Sequence, residues 1–249
     1  MAKRTILLQL DTDAQPSTFD AVVAVDADVE VLLRHGGISA ENVQDLVYGA
    51  MFTRGGDDLQ RTAIFVGGSD VSAGEEVFQA VNKTFFGPVR VSTMLDSNGA
   101  NTTAAAAVLA VLKHVPLSAN NMNSDGSIVT VLGGTGPVGV RVARLLAGLG
   151  YRIRLASRAI ERANAAIQRI QQQVPEGALE PVAGGNAEEI AGALTGATVL
   201  VSAGAVRVQL AAEDLWSNAK DLNLAIDLNA APPAGLEGIE AQDKAKERH

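Results

Sequence analysis

Gly134, Gly136 and Gly139 stand in G-x-G-x-x-G spacing within Gly133-Gly134-Thr135-Gly136-Pro137-Val138-Gly139, directly behind a β-branched run at 127–132. At a strand-to-helix junction the first glycine permits the tight turn. The second lets backbone approach a pyrophosphate without a Cβ in the way, and the third lets the helix pack closely on the strand. Pro137 suits the first helical turn, where its missing N–H would have no partner. The N–H groups around Thr135 and Val138, with the positive end of the helix dipole, then face the phosphates. The next strand, 152–156, ends in Leu155-Ala156-Ser157-Arg158, and no carboxylate follows until Glu161. A site for NAD usually places an acid there to accept from the ribose 2′-hydroxyl. Arg158 instead offers a fork of donors, Ser157 a hydroxyl, and Arg162 lies one helical turn further on, a set suited to the 2′-phosphate of NADP.

The elements that must position these groups alternate along the whole chain. Strands are expected at 6–10, 29–33, 62–66 and 89–94, and helices at 17–24, 39–50, 72–86 and 101–114. Val77, Phe78, Val81 and Phe85 repeat along one helical face, so this aromatic stripe reads as core. The polar stretch 116–126 carries turn formers without an apolar period and suggests a boundary between domains 1–118 and 119–249. Beyond it come strands at 127–132, 152–156, 198–202 and 223–228 and helices at 138–149, 159–172 and 212–219. The fold class is α/β: an N-terminal α/β domain followed by a Rossmann-type parallel-sheet domain.

Small and polar groups follow the strands: Asp11-Thr12-Asp13, Gly67-Gly68-Ser69-Asp70, Asp96-Ser97-Asn98, Ser202-Ala203-Gly204 and Asp227-Leu228-Asn229. In parallel sheets these gather at the carboxyl edge, where open α/β folds take ligands, and two such edges facing each other would frame a cleft. Ser17, Ser39 and Ser72 read as helix caps, and Asn101 as a cap for the alanine-rich helix behind it. His35, His114, Tyr48, Tyr151 and Trp216 have ordinary structural explanations.

Composition narrows the function classes. The chain has 249 residues, 47% hydrophobic and 19% charged, with a formal charge of -8 and no run of Lys or Arg, so nucleic acid is not an expected partner. Its apolar stretches are shorter than the roughly 20 residues of a membrane span. No secretory signal is visible, and a cytoplasmic location is expected. Cysteine is absent, and the three histidines lack ligand spacing, so no metal site is expected.

Asp11-Thr12-Asp13-Ala14, Phe52-Thr53-Arg54-Gly55-Gly56, Ile64-Phe65-Val66-Gly67-Gly68, Phe85-Phe86-Gly87-Pro88, Met94-Leu95-Asp96-Ser97-Asn98-Gly99, the glycine loop and Asn229-Ala230-Ala231-Pro232-Pro233 together resemble the NADP-dependent methylene-tetrahydromethanopterin dehydrogenases of bacterial one-carbon metabolism. The resemblance implies hydride transfer from the methylene bridge of a reduced pterin to NADP, giving the methenyl cation and NADPH, in formaldehyde oxidation. Such chemistry removes no proton, so it needs no catalytic histidine or cysteine. The protein must orient two ring systems and tolerate a developing positive charge. Asp13 and Asp96 are the candidates for that second task. By resemblance, Ser17, Phe19, Arg54, Asn98, Thr102 and Thr103 line the pterin side, while Ser202, Ala203, Gly204 and Asn229 approach the cofactor.

The resemblance further implies a homo-oligomer, trimer or hexamer. It also implies a continuation past the position of Glu247, with a glycine-rich loop, a lysine and a last helix, without which the substrate cleft would lack one wall. Alternatives are a methylene-tetrahydrofolate dehydrogenase and a non-catalytic NADPH-sensing Rossmann protein. An enzyme of the shikimate-dehydrogenase type would need a catalytic lysine in the first domain. Lys83, on a helix with a packed face, is the only mid-chain lysine before Lys113.

Overall fold

The computed structural model describes residues 3–117, 127–229 and 231–248. By their contacts the residues form two compact units, Met1–Asn101 and Thr102–His249. The boundary expected between residues 118 and 119 lies outside the described residues.

In the first unit the order is β1 (Ile6–Asp11), α1 (Thr18–Asp26), β2 (Val31–His35), α2 (Gln44–Phe52), a 3-10 turn (Gly56–Arg61), β3 (Thr62–Gly67), α3 (Val71–Thr84), β4 (Ser92–Leu95) and a 3-10 turn (Ser97–Gly99). The sheet runs β2-β1-β3-β4, and every pairing is parallel. Leu8, Leu10, Ile64 and Val66 project from one face of β1 and β3 onto Val47 and Met51 of α2 and Val77 and Val81 of α3. Burying each such side chain contributes about 1.5–3 kcal/mol. The expected apolar face of α3 is therefore core, with Phe78 and Phe85 packed against it. Gln9, almost fully buried in β1, donates to Ser17 O at 3.1 Å and accepts from Arg34 Nε at 3.1 Å, which satisfies its amide.

Three local expectations shift. α2 starts at Gln44, because Ser39-Ala40-Glu41-Asn42 closes a turn in which Asn42 Oδ1 accepts from Ser39 N at 2.9 Å. Ser39 is therefore not the cap of that helix. Asp70, not Ser72, caps α3, its side chain accepting from Ser72 N and Ala73 N. β4 starts at Ser92, because Phe86-Gly87-Pro88-Val89 is spent in a tight turn closed by Val89 N on Phe86 O at 3.0 Å.

α4 (Ala100–His114) spans the division, and Ala104, Ala107, Val108 and Val111 pack into the core of the second unit. There follow β5 (Ile128–Leu132), α5 (Pro137–Gly148), β6 (Arg152–Ser157), α6 (Ile160–Gln171), β7 (Leu179–Ala183), α7 (Ala187–Leu194), β8 (Val199–Ser202), α8 (Glu213–Ser217) and β9 (Leu224–Asp227). The sheet runs β7-β6-β5-β8-β9, all parallel, with the first strand of the unit at its centre. That order is the Rossmann winding, and its topological switch lies between β5 and β8. One face buries Val129, Val131, Ile153 and Val199 against Val142 and Leu146 of α5; the other packs Leu132, Ala156 and Leu200 against Ile190, Leu194 and Trp216. Tyr151, fully buried, donates its hydroxyl to Val115 O at 2.7 Å, in keeping with a packing role. β7 and α7 are not among the elements expected from the apolar periodicity.

Candidate functional site

The glycine loop sits at the carboxyl end of β5, the central strand. Its tight turn is made at Gly133, the one loop glycine with positive φ, 65°. A Cβ there would stand 2.8 Å from the Gly204 backbone. Gly134, expected to permit the turn, instead yields room to Leu155, whose Cδ1 would lie 2.5 Å from an added Cβ. Gly139 packs α5 on the loop as expected, a Cβ there falling 2.7 Å from Gly134 Cα. Gly136 differs from these. Its nearest neighbours would be Gly133 O at 3.4 Å and Ala203 O at 3.7 Å, ordinary contact distances, so nothing crowds this partly exposed stretch of backbone. Pro137 opens α5, and no side chain caps the helix. An approachable backbone at Gly136 beside an uncapped helix start fits a dinucleotide pyrophosphate, with Thr135, Val138 and Gly139 alongside.

The end of β6 carries the groups expected near the ribose. Ser157 is buried, and its Oγ accepts from Ala159 N at 3.3 Å. Arg158 precedes α6 and Arg162 lies in its first turn; both are exposed. Neither forms an ion pair among the described residues. The loop after β7 runs alongside: Gly184 N donates to Ser157 O at 3.0 Å.

On the other side of β5, Ala203 N donates to Leu132 O at 2.9 Å, which brings Ala203-Gly204 against Gly133. Two cofactor expectations are corrected here. Ser202 is fully buried, and an added Cβ at Gly235 would stand 2.2 Å from its Oγ, so its hydroxyl lies beneath the edge and not on it. Asn229 spends its side chain on bracing loops: Oδ1 accepts from Arg207 N and Ala231 N, and Nδ2 donates to Ala205 O and Pro233 O. Asp227, between them, accepts from Asn229 N at 3.1 Å and Leu236 N at 3.1 Å.

In the first unit the ends of β1, β3 and β4 converge as the parallel pairing demands. Asp11, fully buried, accepts from Asp13 N at 3.0 Å and Ser17 N at 2.9 Å, and so shapes the whole loop between β1 and α1. Asp13 in turn accepts from Ser69 N at 3.0 Å and Ser69 Oγ at 2.8 Å. Asp96 is half-buried; its Oδ1 accepts from Asn101 N at 2.9 Å. Asn101 is therefore no cap: it lies inside α4, its side chain donating to Leu95 O at 2.6 Å. Ser97 Oγ donates to Gly67 O at 3.2 Å, and Asn98, exposed at φ 53°, donates its N–H to Gly68 O at 2.7 Å. Ser17 does cap α1, its Oγ accepting from Asp20 N at 3.2 Å, and Phe19 beside it is 78% exposed. Thr102 and Thr103 occupy the first turn of α4.

Arg54 is a correction. It follows α2 and donates to Arg4 O at 2.9 Å and Arg61 O at 3.2 Å, just before β1 and β3 begin. A crossover helix leaves the carboxyl edge and returns to the amino edge, so Arg54 lies at the opposite end of the strands from Asp13 and Asp96.

Asp20 belongs to this edge although nothing in its sequence context singled it out. Its carboxylate lies close to Asp11 over Gly67, whose added Cβ would meet Asp20 Oδ2 at 3.2 Å and Asp11 Oδ2 at 3.5 Å. Burial pushes its carboxyl above the ordinary range. The Ser17 side chain lowers it in part, and the charges of Asp11 and Asp96 raise it further. A raised folded-state value means that Asp20's contribution to stability is present at low pH and lost as pH rises through that value. Asp20→Asn is therefore expected to melt a few degrees above wild type at pH 7, with the gap closing below the ordinary carboxylate value of about 4. A gap that stays constant from neutral to acid pH, followed by circular dichroism, would refute this linkage.

Among the described residues no three acidic or histidine side chains are grouped to hold a metal, and no helix is long and apolar enough to cross a membrane.

The winding of the second unit and its glycine loop define a Rossmann-type α/β protein. Residues 18–98 match the family model for methylene-tetrahydromethanopterin dehydrogenase, N-terminal. The chain is 32% identical over 241 residues to the NAD(P)-dependent methylenetetrahydromethanopterin dehydrogenase of Methylorubrum extorquens, covering 95% of this chain and 80% of that protein. It is 44% identical over 247 residues to the bifunctional protein MdtA of the same organism, covering 99% and 83%. The chain belongs to the methylene-tetrahydromethanopterin dehydrogenase family. In fold alone it is similar to ornithine transcarbamoylase from Giardia lamblia, with a TM-score of 0.57 at 12% identity over 94% of this chain and 76% of that one.

Proposed function

We propose that this protein is an NADP-dependent methylene-tetrahydromethanopterin dehydrogenase, an oxidoreductase of the CH–NH donor class that takes hydride from the methylene bridge of the pterin in one-carbon metabolism. The observation that carries the reading is the second unit's strand edge. An approachable backbone at Gly136 lies in the loop whose Gly134 N donates to Ala156 O at 3.2 Å near the end of β6, and there Arg158 takes the place of the acid an NAD site uses. The relative named NAD(P)-dependent supports the cofactor class, and Arg158 with Arg162 supports the 2′-phosphate.

When bound, NADP supplies the hydride acceptor. Everything else falls to the chain. The N–H groups at the start of α5 hold the pyrophosphate, and Ala203-Gly204, closed against Gly133, shape the loop beside it. Departure of hydride from the methylene carbon leaves a cation shared by two nitrogens, and no base is required. Asp13, held by Ser69, and Asp96, held by Asn101 N, present fixed negative charge to that cation. Ser17 and Asn98 shape the same edge, with Phe19 exposed beside them as an apolar face for a ring.

The test is the absorbance of NADPH with NADP and methylene-tetrahydromethanopterin, with methylene-tetrahydrofolate and NAD run in parallel. NADPH formation from the methanopterin substrate is the expected result. No turnover of either pterin, with nucleotide binding retained, would overturn the dehydrogenase reading in favour of nucleotide sensing.

A further inference from the structure

β7 and α7 place an acid beside the ribose end of the proposed nucleotide site. Asn186 caps α7, its Oδ1 accepting from Glu189 N at 3.0 Å, while Glu189 Oε2 accepts from Gly185 N at 2.6 Å. Asn186 thus caps α7 while Glu189 reaches back past it to the preceding residue, Gly185, which fixes the glutamate's carboxylate. Gly184 N on Ser157 O at 3.0 Å docks this loop against the end of β6. A Cβ on Gly185 would lie 3.3 Å from Glu189 Oε2 and 3.6 Å from Arg158 Cα, so one glycine separates the carboxylate from the base of the arginine. Arg158 itself extends into solvent.

We propose that Glu189 is a specificity-determining residue, weakening the hold of this site on a 2′-phosphorylated ribose relative to an unphosphorylated one. The inference rests on the reading of the second unit as a dinucleotide site with Arg158 on the 2′-phosphate. A phosphate monoester carries about -1.5 to -2 charges at neutral pH. Held by Arg158, it meets the fixed carboxylate across Gly185, whereas a 2′-hydroxyl brings no charge and can donate to a nearby carboxylate. Arg158 thus favours the phosphate, and Glu189 moderates that preference toward use of both nucleotides.

Glu189→Gln isolates the charge, because the amide oxygen still accepts from Gly185 N and the helix keeps its cap. The experiment is calorimetric titration of the full chain with adenosine 2′,5′-bisphosphate and with adenosine 5′-monophosphate, at low and at high salt. Melting curves of both proteins serve as the fold control. Glu189→Gln is expected to bind the bisphosphate about three- to tenfold more tightly, with the monophosphate unchanged and the gain shrinking in high salt. Equal changes for both ligands, or none, would overturn the role of Glu189 while leaving the nucleotide site standing. A wild-type chain that binds neither ligand would overturn the inference and the dinucleotide reading together.

Discussion

A Gly136→Ala protein is expected to melt within a few degrees of wild type and to bind NADP about tenfold to a hundredfold more weakly, whereas Gly133→Ala is expected to lose roughly 10 °C or more of melting temperature. Both changes add one methyl group to the same loop. At Gly136 the backbone lies at φ -75° and ψ 167°, open to any residue, and the nearest atoms stand 3.4 and 3.7 Å from the new Cβ. That methyl would stand where the proposed pyrophosphate approaches the backbone, so the expected cost falls on binding. At Gly133 the φ of 65° is left-handed, at about 1–2 kcal/mol for an alanine, and the methyl would meet the Gly204 backbone at 2.8 Å. Backbone cannot swing aside as a side chain can, and forced overpacking adds typically 1–3 kcal/mol. Thermal melts paired with nucleotide titration separate the two outcomes. A Gly136→Ala protein that binds NADP like wild type would exclude the loop as the pyrophosphate cradle.

Arg158→Ala is expected to raise the NADP dissociation constant about tenfold to a hundredfold while changing that for NAD by less than about twofold. Hydrogen bonds to charged groups contribute about 1.5–3 kcal/mol, and NAD lacks the group that would receive them. Arg158 is exposed, follows β6 directly and is tied to no carboxylate among the described residues, so its guanidinium is available to a ligand. Arg162→Ala, in the first turn of α6, is expected to show a smaller loss with the same selectivity. Parallel losses for NAD and NADP in the Arg158 variant would remove the 2′-phosphate assignment and leave only a general electrostatic effect.

The two halves of the site differ in how far the residues announce them. The glycine loop is legible because its demands are local: a strand, a turn and a helix start occupy consecutive residues. Even so, the spacing assigned the turn to Gly134, and only the approach of Gly204 to Gly133 and of Leu155 to Gly134 shows which glycine does what. β7 escaped because Glu180 and Pro181 interrupt its apolar pattern, which an edge strand tolerates. α7 had a readable signal in Asn186-x-x-Glu189 before Ile190, Ala193 and Leu194, the pattern of a capping box leading into an apolar face. Ser39 misled because a serine that closes a turn looks the same as one that starts a helix.

The chain's own order of residues determined the α/β class, the parallel alternation, the glycine loop and the basic end of β6. Each follows from hydrophobic period or from spacing within a few residues, which local backbone geometry translates directly into structure. Tertiary structure decided which distant side chains meet. It drew Asp11, Asp13, Asp20 and Asp96 to one strand edge, sent Arg54 to the other, sank Ser202 beneath Gly235, and set Glu189 beside Arg158 across Gly185. Those outcomes depend on the register of parallel strands and on where each crossover helix returns. Contacts between elements far apart in the chain select them, and no single stretch of residues encodes them.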